Sequence, residues 1–101
     1  NWVVQYDGCT FSPDTGGGVA FTNPQRTGPC DVHDRCYQTC GLDRNACDQE
    51  FCQNLRYACQ DVFGPDRNHC MAVADSMCSG VNLPPPIFFN EGQRKACNCC
   101  P

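Results

Sequence analysis

Twelve of the 101 residues are cysteine, and that feature narrows the outcomes more than any other. A domain this short buries little of its surface and gains little from its core. So high a cysteine content in a short chain marks a disulfide scaffold, read here as one domain over residues 1–101. The count is even, so full pairing gives six bridges and leaves no thiol. Such thiols would stay free or bind metal in a reducing compartment, so an oxidising one is expected and the protein is read as secreted. A zinc domain is the other fate of a cysteine-rich chain. It needs close ligand pairs, whereas from Cys9 to Cys78 no two cysteines stand nearer than four positions. Asn1, with no Met or signal peptide before it, is expected to be the mature end of a processed chain.

Charge excludes further classes. The net charge is −4, from 7 basic and 11 acidic residues, and only Arg94 and Lys95 are adjacent cations. That pattern argues against nucleic acid as a partner and against docking on an anionic membrane by charge alone. No apolar run approaches the roughly 20 residues of a membrane span.

Residues 1–28 hold Asp7-Gly8, Pro13-Asp14, Gly16-Gly17-Gly18 and Asn23-Pro24, which is loop chemistry. A backbone that must approach something closely would use such glycines. A surface loop tied down by Cys9 would use them too, and glycine content alone favours the loop. The spacing then predicts a helix over 29–40. Thr27 is its expected cap, Pro29 lies in the first turn, Asp31 suits the positive end of the dipole and Gly41 follows as the stop. His33, Cys36, Tyr37 and Cys40 share one face of it. A second helix is predicted from Asn45 to Val62, capped by Asp43 or Asn45. Cys47, Phe51, Leu55, Ala58 and Val62 form its apolar stripe, with Asp48, Cys52, Leu55 and Cys59 beside it. The short Gly41-Leu42-Asp43-Arg44 connection should pack these two long helices antiparallel. A third helix is predicted from Asp66 to Ser79, with Cys70, Val73, Met77 and Cys78 inward. Pro84-Pro85-Pro86 cannot be helix interior, so the tail through Ile87-Phe88-Phe89 is read as loop. The fold class is therefore mainly α, with a looped periphery and little room for a β-wing between Val62 and Cys70.

His33 lies on the face that meets the second helix, where Asp48 follows Cys47. A bridge between Cys36 and Cys47 would bring their Cα atoms within about 7 Å and hold Asp48 near the turn bearing His33. A buried Asp at one ring nitrogen fixes the tautomer and leaves the other nitrogen as a base. No Ser or Cys nucleophile is evident, so water is the simplest one. Asp34, beside a Gly-rich loop, can bind calcium with loop carbonyls completing the shell, and the ion would stabilise an oxyanion.

At these residues the chain resembles a known family. Cys30-Asp31-Val32-His33-Asp34-Arg35-Cys36-Tyr37 is similar to the C-x-x-H-D-x-C-Y signature of the secreted phospholipase A2 superfamily. Gln38-Thr39-Cys40-Gly41 resembles its more divergent animal, fungal and bacterial branches, including conodipine-like venom enzymes. Cys47-Asp48 with Phe51 three residues on resembles the start of the second helix motif. The likeness implies a disulfide-rich phospholipase A2-like fold. It implies His33 as base, Asp48 orienting it, Tyr37 hydrogen-bonded to Asp48, and Asp34 as bidentate calcium ligand. It also implies disulfides Cys36–Cys47 and Cys9–Cys30, with calcium taking the carbonyls of Gly8, Thr10 and Ser12. In the family's usual loop the glycines follow the cysteine directly. Here Thr10-Phe11-Ser12-Pro13 intervenes, so either the carbonyl register has moved toward Asp14–Gly18 or calcium binding is weakened or lost. Pro29 replaces a cysteine common in the family.

The remaining residues read more plainly. Arg35 is expected to be solvated and His69 to be a surface histidine. Trp2 and Phe11 are expected in the core, and one of Phe88 and Phe89 is expected to be exposed on an apolar rim. The expected function is calcium-dependent hydrolysis of the sn-2 ester of glycerophospholipids at a membrane or micelle surface. The rival is a non-catalytic phospholipase-like toxin or binding protein acting on a channel or receptor. A protease-inhibitor module, the third reading, leaves the His–carboxylate set unexplained.

Overall fold

A computed structural model describes residues 3–9, 13–81 and 87–98. Trp2, Thr10, Phe11, Ser12, Pro84–Pro86, Cys99 and Cys100 lie outside the described residues, and so does any sixth bridge. The order of elements is β1 (Thr15–Gly16), β2 (Val19–Ala20), α1 (Pro29–Tyr37), α2 (Arg44–Ala58), α3 (Gly64–Val81) and α4 (Ile87–Asn98). The fold is mainly α and disulfide-rich. None of its described helices is long and apolar enough to cross a membrane.

Helix α1 is entered through Gly28, which caps it without a side-chain bond. Thr27, expected as the cap, is used one step earlier. Its N–H donates to Asn23 Oδ1 at 3.0 Å, and its hydroxyl accepts from Asn23 Nδ2 at 2.9 Å. Gly28 is required because a Cβ there would sit 2.5 Å from the carbonyl oxygen of Phe21. The helix stops at Tyr37, short of the expected Cys40. The Thr39 hydroxyl donates to the carbonyl of Arg35 at 2.7 Å, a side-chain bond that competes with the helical ladder. Gly41 then turns the chain at φ 91°. Asp43 caps α2 by accepting from Ala46 N at 3.1 Å. α2 ends at Ala58 rather than Val62, because the chain tightens into three-residue turns (Gln60 N to Tyr57 O, Val62 N to Cys59 O). Asp43 thus decides the N-cap question left open by the sequence.

The helix lengths are distributed otherwise than expected. α1 has 9 residues, α2 has 15 and α3 has 18. The long antiparallel pair is therefore α2 with α3, clamped by Cys52–Cys78 and Cys59–Cys70. α1 runs antiparallel to α2 across Cys36–Cys47, and Cys9–Cys30 ties the N-terminal segment to α1. The core gathers Phe21, Phe51, Leu55, Ala74 and Met77 around Cys9, Cys30, Cys59 and Cys70. On α3, Val73 and Cys78 are half-buried, and Ala74 takes the inner place.

The segment read as a looped tail is helix α4. Proline halts a helix that runs into it but tolerates one that starts after it. Glu91 pairs with Arg94 and Lys95 one turn on, at 2.6 and 3.6 Å. Cys40–Cys97 anchors the helix to the turn after α1.

The glycines at 16–18 do serve a close approach, and the thing approached is α3. Thr15 pairs with Ala20 and Gly16 with Val19, with Gly17 and Gly18 at φ 57° and 82° in the turn, as a tight hairpin demands. A Cβ on Gly16 would lie 3.0 Å from Val73 Cβ, and one on Gly17 would overlap the carbonyl oxygen of Asp66. Gly17→Ala therefore combines backbone strain with collision and is expected to cost about 2 kcal/mol or more. Gly18→Ala has open space around it and should cost less. Thermal unfolding of the two variants checks the order; equal melting temperatures would mean the hairpin is not docked on α3.

Candidate active site

Beside the Cys36–Cys47 bridge the α1–α2 interface is polar: His33 lies one turn before Cys36 and Asp48 directly follows Cys47. His33 is 9% exposed and Asp48 2%. His33 Nε2 lies 2.9 Å from Asp48 Oδ1, and the Tyr37 hydroxyl donates to the same oxygen at 2.5 Å. Because a carboxylate only accepts, the neutral imidazole carries its proton on Nε2. Its Nδ1 has no hydrogen bond among the described residues. Residues 33 and 37 are one helical turn apart, which is why both reach one carboxylate.

Two neighbours complete the arrangement. The Phe51 ring stacks on the imidazole, with centroids 4.2 Å apart and planes at 27°. Asp48 Oδ2 faces Arg44 Nε at 3.4 Å, one turn earlier on α2, and Arg44 also donates to the carbonyl of Val81 at 2.7 Å. Arg44 escaped the sequence reading although its i, i+4 spacing from Asp48 was there to be seen. Burial lowers the basicity of His33, outweighing the opposite pull of Asp48. Burial likewise pushes the Tyr37 hydroxyl up, and the bond to Asp48 adds to it. At neutral pH the set is thus an unprotonated imidazole and a phenol that keeps its proton.

Asp34 stands apart from this pair. Its Oδ2 accepts from Asp7 N at 3.0 Å, which lays the segment before Cys9 against it. Gly8 is next, at φ 71°; Thr10 and Ser12 lie outside the described residues. Asp14 is engaged with Cys9, whose N–H donates to its Oδ1 at 3.0 Å. Desolvation first, helped by the charges of Asp7 and Asp31, pushes the Asp34 carboxyl up to about 7, against the Asp7 N–H and Arg26. A carboxylate so short of compensation gains from a cation. No cluster of three or more His, Cys, Asp or Glu that could hold a metal occurs among the described residues. A carboxylate is the kind of donor that a hard, oxygen-seeking ion takes, and in that respect Asp34 fits calcium.

Asp31 has a structural place. Fully buried, it accepts from Asn23 N at 2.9 Å and faces Arg26 at 3.7 Å. Arg35 is exposed, as expected, with its guanidinium near the Tyr6 hydroxyl and the Arg26 carbonyl. His69 is exposed as well. Phe88 is 55% exposed, whereas Phe89 meets Tyr37 edge-on at 5.2 Å.

Comparison with known proteins gives the family. The chain matches the family described as Group XII secretory phospholipase A2 precursor over residues 2–101. It belongs to that family. Group XIIA secretory phospholipase A2 of Mus musculus and that of Homo sapiens are each 45% identical to it over 98 residues, or 92% of this chain. Those 98 residues are 50% and 51% of the two relatives, so the chain spans about half the length of the curated relatives it matches. No solved structure matches it. Both of these relatives are animal proteins. Membership of a secretory group XII family agrees with the oxidising compartment read from the cysteines.

Proposed function

We propose that this group XII chain is a secreted, calcium-dependent phospholipase A2 that hydrolyses the sn-2 ester of glycerophospholipids at a membrane or micelle surface. The observation that carries the reading is the geometry of His33, held through Nε2 by a buried Asp48 and with no hydrogen bond at Nδ1 among the described residues. Nδ1 takes a proton from water as the oxygen attacks the ester carbonyl. Asp48 faces the imidazolium so formed and stabilises its charge, while the Tyr37 hydroxyl keeps the carboxylate from turning away. His33 then returns the proton to the departing glycerol oxygen, so the ring ends neutral. Calcium, held by Asp34 and by carbonyls of the loop around Cys9 (Gly8, with Thr10 and Ser12), would supply the positive charge that polarises the ester carbonyl.

The test is release of fatty acid from phosphatidylcholine vesicles labelled separately in the sn-1 and sn-2 chains, with calcium and with chelator. Release of the sn-2 label that requires calcium supports the reading. Equal loss of both labels would point to a different esterase. No release, with intact binding to the vesicles or to a channel or receptor, would favour the non-catalytic toxin-like reading.

A further inference from the structure

The C-terminal turn of α1 is built to be held from α4. Tyr37 is the last residue of α1, where carbonyls have no helical partner and the backbone tends to fray. Gln93 answers this with one side chain. Its Nε2 donates to the carbonyls of Tyr37 and Thr39, at 2.9 Å each, and its Oε1 accepts from Gly41 N at 3.0 Å. The neighbouring Gly92 lets α4 come this near, since a Cβ there would lie 2.8 Å from the Tyr37 carbonyl oxygen. Phe89, one turn earlier, packs its edge against the Tyr37 ring. The Cys40–Cys97 bridge closes the same contact covalently. Backbone and ring of Tyr37 are therefore both fixed by α4, and its hydroxyl is the second donor on the oxygen of Asp48 that His33 uses.

We propose that Gln93 is a positioning residue for the His33–Asp48 pair, acting through Tyr37. The proposal rests on the reading of that pair as the catalytic one. Gln93 touches neither of them. Without its amide the last turn of α1 loosens, the Tyr37 hydroxyl leaves Asp48, and the carboxylate gains freedom to rotate away from Nε2. Displacements of about 1 Å in such settings cost up to about 100-fold in rate.

Gln93→Ala is expected to lower kcat for sn-2 release about tenfold while KM stays within about twofold, with Cys40–Cys97 still formed. Gln93→Lys keeps donors for the two carbonyls at a helix C-terminus and is expected to recover most of kcat. Gln93→Glu keeps only the acceptor and should be as impaired as Ala. In a Tyr37→Phe background, Gln93→Ala should cost almost nothing more, the non-additivity of residues that act through one another. A structural role alone would give additive losses, and additivity, or Lys no better than Glu, overturns the proposal. A readout independent of turnover is the ring-carbon Cζ resonance of isotope-labelled Tyr37 in the full chain. It should shift in Gln93→Ala and return in Gln93→Lys; an unmoved resonance overturns the proposal. If the unaltered chain releases no fatty acid, the catalytic reading fails, while this resonance still decides whether Gln93 sets Tyr37.

Discussion

His33→Gln is expected to lower sn-2 fatty-acid release at saturating calcium by about 100- to 10,000-fold without unfolding the chain. The size follows from the role: a positioned general base contributes about 100- to 10,000-fold. Glutamine has nearly the volume of histidine and can donate from its amide to Asp48, so the buried carboxylate keeps a partner. Asp48→Asn is expected to fall almost as far for a different reason. An amide can offer Nε2 a donor, which moves the imidazole proton to Nδ1 and removes the lone pair that accepts from water. It also removes the negative charge that faces Arg44 at 3.4 Å, so some loss of stability accompanies the loss of rate. With calcium saturating, the acid limb of the pH profile should lie below the ordinary imidazole value of 6.5, because burial outweighs Asp48 in setting His33. The measurement is kcat/KM over pH for folded, fully bridged protein. A His33→Gln chain that keeps more than about a tenth of the rate would end the assignment of the base.

The His–Asp pair was legible in the sequence because its determinants are local. His33, Cys36 and Tyr37 lie within one turn of each other, and a short connection, residues 38–43, leaves the next helix little choice but to return alongside. Phe51 was visible as part of a motif, but its stacking on the imidazole depends on how two helices are rotated, which spacing alone does not set. The end of α1 was misjudged because Gly41 is a strong stop signal by itself. The earlier stop comes from the Thr39 hydroxyl on Arg35 and from Gln93, 54 positions away from Thr39. No pattern marks a polar side chain whose partners are backbone atoms that far along the chain. α4 was hidden behind three prolines that read as a barrier and lie just before a helix start. The glycine run carried two readings, a close approach and a tied-down surface loop; that the element approached is α3 is a tertiary fact that local pattern does not carry.

Asp34→Asn is expected to abolish saturable calcium binding, and the pH dependence of that binding is where the carboxylate can be seen directly. Its carboxyl is raised from 3.8 to about 7 in the folded chain. A cation must displace the proton, so below about pH 7 the apparent affinity should fall up to about tenfold per unit and above it level off. The same shift has a consequence for the metal-free protein, and its sign is opposite to that of a salt-bridged aspartate. Between about pH 4 and 7 the folded state keeps a proton that the unfolded state has given up. Stability contributed by Asp34 is therefore greatest at the acid end and is lost as pH rises through that window. In chelator, the difference in melting temperature between Asp34→Asn and the unaltered chain should grow from pH 5 to pH 7.5, because only the variant avoids placing a desolvated charge beside Asp7 and Asp31. Calcium should raise the melting temperature of the unaltered chain alone and so remove that difference. A calcium affinity that ignores pH between 5 and 7.5, or one that survives the substitution, would mean that the ion is held elsewhere, and the loop around Cys9 would then have no metal to serve.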